Sequence, residues 1–578
     1  MKNKIENIFI SPDTRIKDAM KTISRAAHLK LPVGIVLITD SRDKLKGVVT
    51  DGDIRRALVR GINLDDHVSR IMTRDPITVH KDMSVDEMVA TVIRKVKESG
   101  RIRDYKIDKV IAVDRGNRVR DVLDFSELWH RKGAINKKIC IVGTGHIGLT
   151  LCAIMAEAGY QVKGYDIRKD LVAKQNRGET HFYEKGLQPL LKLHLRNKRI
   201  KFISALKSRD SDVYIICVGT PINDKTHEPV LENIRAAAKS IGRVLKKGDL
   251  VILRSTVFVG TTRNVIRPIL EKASLLKAGA DFGLVFAPER AVEGRVLEET
   301  DQIPQILGGF TRKCTENAIQ VLEVMNPSVV VLESLEAAEM VKLVNNTFRD
   351  FSFAFANKIA LMCAKLGFNA VKVIKAANEG YPRNPVSLPS PVVGGYCLHK
   401  DTYLMAKVAQ DLGINPDIFF HARDINNRMP LFVAAKAMDF LQRNYKSARK
   451  IKIFILGFAF KGDPETSDMR NSPTLDVLEV LRSKLKKKAV FFGYDPIVGK
   501  KGIEGQRVKF TSFRHGFKGA HCVLIMNNNP EFAKIDVFYL LETMKKPGFF
   551  FDGWHFFHKQ EVVEAKGIVY QGLGGGFN

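Results

Sequence analysis

Short, wholly apolar runs alternate with longer stretches of helical period along most of the chain. Ile139-Cys140-Ile141-Val142, Val213-Tyr214-Ile215-Ile216-Cys217-Val218, Leu250-Val251-Ile252-Leu253 and Gly283-Leu284-Val285 read as strands buried on both faces. A helical stretch over residues 149–158 follows the first run, and Gln161-Val162-Lys163-Gly164-Tyr165-Asp166 gives the next strand. The pattern returns at Ile451 to Leu456, a helix from Thr474, and Ala489 to Gly493. Such alternation predicts open parallel sheets covered by helices, so the fold class is α/β with two domains of this kind. Between them, residues 334–366 read as one long helix. Glu339, Lys342, Asn346 and Arg349 share one face of it, while Met340, Val344 and Phe348 are expected to pack. A polar stripe within so apolar a helix predicts a lined cleft.

The first 130 residues follow another plan, used twice. A helix (residues 16–27), a strand (Gly34 to Ile38) and Lys46-Gly47-Val48-Val49-Thr50-Asp51-Gly52-Asp53 are matched by a helix from Val85, a strand (Lys109 to Val113) and a segment from Val119 to Leu128. A repeat of this size predicts paired modules. The basic stretch from Trp129 to Lys138 reads as a linker.

Composition narrows the function classes. At 578 residues, 45% of them hydrophobic, several packed domains are expected. The seven cysteines (140, 152, 217, 314, 363, 397 and 522) are scattered, with no Cys-x-x-Cys. Neither a metal site nor a disulfide framework is expected, and a reducing, cytoplasmic setting fits. There is no apolar signal stretch at the N-terminus and no run near the ~20 residues needed to span a bilayer. The net charge of +30 is spread over clusters such as Lys484 to Lys488 and Arg443 to Lys452. These lack interleaved aromatics and accompany no nucleic-acid motif, so a solvated basic surface that draws in phosphorylated ligands is expected, with weak membrane-surface attraction left open.

The candidate chemistry lies where strands end. Gly143-Thr144-Gly145-His146-Ile147-Gly148 leaves an apolar strand and opens a helix, the context in which glycines cradle a pyrophosphate. Asp166, closing the next strand, suits ribose hydroxyls and repels a 2′-phosphate, so NAD is expected over NADP. Thr220, Ser255 and Thr256 follow later strand ends, and Phe286-Ala287-Pro288-Glu289-Arg290 forms a shaped loop whose acid could also be half of a surface ion pair. Cys397, in Gly394-Gly395-Tyr396-Cys397-Leu398-His399-Lys400-Asp401, is placed where a helix should begin. A helix N-terminus eases thiol ionisation, and Asp401 falls on the same face. A hydride-acceptor site and a thiol together point to an oxidation through a sulfur-bound carbonyl.

Taken in order, Gly143 to Gly148, Ser255-Thr256-Val257, Pro288-Glu289-Arg290 with Glu293-Gly294, Lys342 and Asn346, Gly394 to Asp401, and Gly457 to Gly462 with Asp468-Met469-Arg470 make residues 137–578 resemble the UDP-glucose/GDP-mannose dehydrogenase family. The resemblance implies an NAD-binding Rossmann domain (133–332), a central helical dimerisation region (333–448) and a Rossmann-like nucleotide-sugar domain (449–578). Residues 1–132 resemble a tandem CBS pair, in which Thr50 and Asp53 would bind an adenine nucleotide; Asp124 and Glu127 stand at the matching places of the second unit. The implied reaction is a four-electron oxidation of a sugar C6 hydroxymethyl to the uronate, through a thiohemiacetal and a thioester on Cys397. Lys342 would stabilise the oxyanion, Asn346 and Thr256 would orient water or substrate, and Asp401 and Glu289 would carry protons. Glu293, Arg349, Arg383, Gly394, Lys461 and Arg470 would hold the substrate, Arg383 from a neighbouring subunit of a homodimer or larger homo-oligomer. Asn345 to Asp350 is most similar to the branch acting on UDP-N-acetylmannosamine or UDP-N-acetylglucosamine, with UDP-glucose and GDP-mannose as alternatives. A two-electron hydroxyacid dehydrogenase and a non-catalytic nucleotide-responsive regulator are the rival readings.

Overall fold

The computed structural model describes residues 4–28, 34–98, 109–125, 137–207, 209–326, 328–383, 385–391, 393–557, 562 and 565–575. The chain divides near residue 137 into two compact units.

In the first unit, β1 (Phe9–Ile10), β2 (Ile35–Thr39) and β3 (Leu45–Thr50) form a sheet in which β1 runs parallel to β2 and β2 antiparallel to β3. The second sheet, β4 (Thr78–His80), β5 (Lys109–Val113) and β6 (Val119–Asp124), repeats that order and those directions. The repeat seen in the sequence is therefore a repeat of structure. The two β-hairpins interlock: the Leu45 N–H donates to Asn117 O at 2.9 Å and the Val119 N–H to Asp43 O at 3.2 Å. Ile35 and Leu37 of one sheet share a buried core with Ile111 and Val113 of the other. The segments expected around Trp129 and at Glu127 lie outside the described residues.

The second unit carries two larger sheets. The first contains β7 (Lys138–Val142), β8 (Gln161–Tyr165), β9 (Ile200–Ile203), β10 (Val213–Ile216), β11 (Leu250–Leu253), β12 (Gly283–Phe286), β13 (Gln305–Gly309) and β14 (Val329–Leu332). Their order is β14-β13-β12-β11-β10-β7-β8-β9, and every pair is parallel except β12 with β13. The strand order reverses at β7, with β8 and β9 added on one side and β10 to β14 on the other, so the ends of β7, β8 and β10 open on one crevice. In the second sheet, β15 (Ile451–Leu456), β16 (Ala489–Tyr494), β17 (Lys509–Phe510), β18 (Cys522–Ile525), β19 (Gly548–Asp552) and β20 (Ile568–Gly572) are all parallel, in the order β17-β16-β15-β18-β19-β20.

A 32-residue helix, Leu335–Leu366, joins the two sheets, capped by Ser334 accepting from the Ala337 N–H and stopped by Gly367 in the left-handed region (φ +80°). Helices Tyr396–Asp411 and Asp417–Tyr445 lie against it. At their meeting point Asp350 and Arg423 form a buried ion pair, which also takes in Asn426 and the Thr402 hydroxyl. One sequence expectation fails on this helix. Val344 and Phe348 do not pack inside the chain but are 47% and 71% exposed, in line with exposed Phe351, Phe355 and Met362.

Candidate active site

The turn after β7 is built for close approach. Gly143 has φ +91°, and a Cβ there would stand 2.8 Å from a Val218 methyl. At Gly148 a Cβ would come within 1.8 Å of Gly143 O, so only glycine lets the helix seat on the strand. At Gly145 a Cβ would meet nothing within 4 Å. The middle glycine therefore borders open space at the start of helix His146–Glu157, where backbone N–H groups and the helix dipole favour an anion. Ile147 is half-buried beside it. Asp166, just past β8, accepts from the Thr144 N–H at 3.1 Å and from Arg168, whose guanidinium helps hold the carboxyl below its ordinary value against the opposing effect of burial. These residues fit a dinucleotide with a free 2′-hydroxyl.

Thr220 and Ser255 are tied inward. The Thr220 hydroxyl donates to Thr256 O at 2.6 Å and the Ser255 hydroxyl to Val218 O at 2.7 Å, stitching together the ends of β10 and β11. Arg254, buried beside them, grips Glu289 Oε2 at 2.7 Å, while Glu289 Oε1 accepts from the Arg290 and Ala291 N–H groups. Burial pushes the Glu289 carboxyl up, but Arg254 and these amides outweigh it and hold the group below its ordinary value. Glu289 is therefore neither half of a surface pair nor poised to carry a proton near neutral pH. It is a buried anion that fixes its loop, and its charge bears on Lys342.

Cys397 is exposed, in the first turn of helix Tyr396–Asp411. Gly395 (φ +85°) makes the turn before it, and a Cβ there would strike the Phe460 ring at 2.6 Å. Gly394 is pressed equally hard against Asn471 O. The two glycines thus seat the thiol against the Phe460 and Asn471 segments. Arg423 anchors the same turn through Val393 O (2.8 Å) and Leu398 O (3.4 Å). The thiol reaches water yet is ringed by protein. Desolvation, then the Asp401 carboxylate, raise it above the ordinary thiol value, against the pull of Lys342 and Lys400. The eased ionisation expected from the helix terminus is outweighed.

Below the thiol, the buried Asp401 carboxylate accepts from Asn346 through Oδ2 and from the Lys400 ammonium through Oδ1. Lys400 received no role from the sequence, yet its charge is buried and paired here. Above it, Lys461 and Arg470 feel the charge of Cys397, and Lys461 also feels Arg349. Burial brings Lys461 down to about 8, and its ammonium donates to Glu293 O. Burial and then Asp468 push the Glu293 carboxyl up to about 7; the Thr466 hydroxyl donates to it at 2.6 Å. His146 stacks on Phe182 and is brought down to about 3 by burial and Arg470. His146, Glu293 and Asp468 bring ligand-type atoms within 4.8 Å of one another, and Arg470, on both oxygens of Asp468, supplies the positive charge there. This network links the dinucleotide helix to the second sheet, and separations of 147 to 324 residues hid it from the sequence. Arg383 is not gathered with these residues; it is exposed and lies over Tyr381.

The second sheet has its own glycine turn, and that turn is filled from within. Asp495, following β16, accepts from the Phe458 and Ala459 N–H groups at 2.8 and 3.1 Å. In the first unit, Thr50 and Asp53 make a reciprocal helix cap, with the Thr50 N–H donating to the Asp53 carboxylate at 2.9 Å and the Asp53 N–H to the Thr50 hydroxyl at 3.2 Å. Asp124 pairs with Lys109.

Residues 137–326, 336–428 and 454–559 match the NAD-binding, central and UDP-binding domain models of the UDP-glucose/GDP-mannose dehydrogenase family, and residues 3–60 match the CBS domain. The UDP-N-acetyl-D-mannosamine dehydrogenase of Pyrococcus horikoshii is 34% identical over 442 residues, covering 76% of this chain and 99% of that one. The Campylobacter jejuni enzyme of that name is 36% identical, over 60% of this chain and 84% of its own length. A solved structure of the Pyrococcus horikoshii dehydrogenase has a TM-score of 0.67 at 31% identity, covering 76% of this chain and 99% of that one. For the Staphylococcus aureus UDP-N-acetyl-mannosamine dehydrogenase the figures are 0.63, 30%, 76% and 98%.

Proposed function

Because the chain belongs to the UDP-glucose/GDP-mannose dehydrogenase family and is an NAD-dependent nucleotide-sugar dehydrogenase, we propose that it oxidises the C6 hydroxymethyl of a UDP-N-acetylhexosamine to the uronate, UDP-N-acetylmannosamine first among them. The observation that carries this reading is one crevice holding an accessible thiol, a buried Asp401 tied to Asn346 and Lys400, and Lys342. The relatives named as UDP-N-acetyl-D-mannosamine dehydrogenases support the acetamido sugar.

Bound dinucleotide would supply a hydride acceptor twice, for alcohol to aldehyde and for thiohemiacetal to thioester, and the Gly145 turn and Asp166 would hold it. The remaining steps fall to the chain. The Cys397 sulfur adds to the C6 aldehyde, forming an S–C bond and keeping a reactive carbonyl from escaping. Lys342 faces the oxygen that becomes negative as this bond forms and again as water attacks the thioester. Asp401 takes the proton from that water while Asn346 fixes its carboxylate, and the thiol leaves reprotonated. Since Cys397 is mostly thiol at neutral pH, its proton must depart as the bond forms, and Asp401 is the adjacent acceptor. Lys461 and Arg470 neutralise the diphosphate.

The exposed stripe Val344, Phe348, Phe351, Phe355 and Met362 recurs at helical spacing and supports a homodimer formed through the long helix, which would carry Arg383 to a neighbour's site. An adenine nucleotide at Thr50 and Asp53 is the proposed ligand of the first unit.

The test is stoichiometry. Two NADH per UDP-N-acetylmannosamine consumed are expected, and Cys397→Ser is expected to form no net acid. One NADH per sugar would replace the reading with a two-electron dehydrogenase, and none with any UDP- or GDP-sugar would leave a regulator.

A further inference from the structure

The basic charge has a definite place in the fold. All six strands of the second sheet are parallel, so every segment leading into a strand opens on the same edge. Those lead-ins (446–450, 484–488, 505–508, 518–521, 543–547 and 565–567) contain ten lysines, two arginines and no acidic residue. Each strand receives at least one: Lys450, Lys488, Arg507, Lys518, Lys545 and Lys566, all exposed. The lead-in to β16 is a run, Lys486 to Lys488. Of the twelve, only Lys546 has a carboxylate within 4.0 Å among the described residues, Glu542 at 3.6 Å. Scattered surface charge would be mixed in sign and paired; these lead-ins carry one sign and, Lys546 apart, no such pair among the described residues.

The opposite edge, where β15 runs into Gly457 and Lys461, faces the Cys397 crevice. Whatever the basic edge meets therefore leaves the crevice open. At about 4.8 Å per strand the six strands spread the charge over roughly 24 Å. Lysine outnumbers arginine five to one, favouring diffuse attraction over bidentate reading of individual phosphates. The lead-ins contain no Phe, Tyr or Trp, so they offer no aromatic platform for stacked bases.

We propose that the strand-entrance edge of the second sheet is a docking surface for an anionic lipid bilayer, which it meets peripherally with the catalytic crevice turned away. No helix among the described residues is long and apolar enough to cross a membrane, so the contact is electrostatic and reversible.

The experiment is co-sedimentation of the full chain with vesicles of 30% phosphatidylserine in phosphatidylcholine, against phosphatidylcholine alone, from 50 to 500 mM NaCl. Binding to the anionic vesicles alone, lost at high salt, is expected. At roughly 1 kcal/mol per lysine, Lys486→Glu/Lys487→Glu/Lys488→Glu should weaken it by about a hundredfold or more while keeping its NADH-forming rate in solution. Lys239→Glu/Lys272→Glu/Lys313→Glu, three exposed lysines on the other sheet's helices, should bind as the parent does. Lys545→Glu/Lys566→Glu repeats the test at the far end of the edge, so a folding defect in one variant does not decide it. No binding by the parent, equal binding by both edge variants, or a duplex oligonucleotide bound more tightly than the vesicles at the same salt would each overturn the proposal.

Discussion

Replacing Arg423 by Met should cost this chain more than most single substitutions, and the structure says how. The Arg423 guanidinium, 1% exposed at its side chain, lies 2.5 Å from Asp350 and also holds Val393 O, Leu398 O and Asn427. Burial pushes the Asp350 carboxyl up, and Arg423 is the largest opposing influence. Without it a buried carboxylate is left uncompensated, a loss of about 3–5 kcal/mol. The melting transition of the dehydrogenase unit, followed by calorimetry, should fall by roughly 3–5 °C. The pH dependence has a definite sign. A carboxyl whose folded value lies above its unfolded one destabilises the fold as pH rises through that interval, so the variant's deficit should deepen from about pH 4 towards neutral. Adding Asp350→Asn removes the stranded charge and should recover a substantial part of the loss. It should not recover activity, because the backbone anchors on either side of Cys397 stay broken. A shift under 2 °C, or a double variant no more stable than Arg423→Met, would refute this reasoning.

Three further outcomes follow from particular contacts. Gly145→Val should fold normally and weaken NAD at least tenfold, as read by fluorescence titration, whereas Gly148→Ala should give little folded protein, since its Cβ would collide with Gly143 O. With Glu293 near 7, the KM for the nucleotide sugar should show an inflection around pH 7 that Glu293→Gln removes while kcat keeps its profile. Thr50→Ala should cost the first unit roughly 1 kcal/mol through loss of a helix cap, and calorimetry with AMP and ATP decides whether a nucleotide ligand is lost with it.

The glycine turn, the long helix and the cysteine segment were legible in the sequence because each is a local pattern: spacing alone places Gly143 to Gly148 between strand and helix, and Cys397 four residues before Asp401. What stayed hidden is pairing across distance. Nothing near Asp350 announces Arg423, and nothing near His146 announces Arg470, because a contact formed by folding leaves no period in the chain. Glu289 shows the converse. Its type and its loop fit a proton carrier, and only Arg254, 35 residues earlier, reveals an anchored anion. The antiparallel pairing of β13 was likewise unreadable, since an apolar run carries no sign of direction.

Asp495 has a consequence for how this chain could be re-engineered. The second lobe supplies its own resident anion to the amides that would otherwise greet a phosphate, and Asn527 braces that carboxylate from the adjoining loop. Where Asp166 takes one amide of its turn, Asp495 takes two, so adding glycines to this turn would still leave the Ala459 amide occupied. Those two amides are spent inside the lobe, and under the proposed function the diphosphate of the nucleotide sugar is met by Lys461 and Arg470 instead.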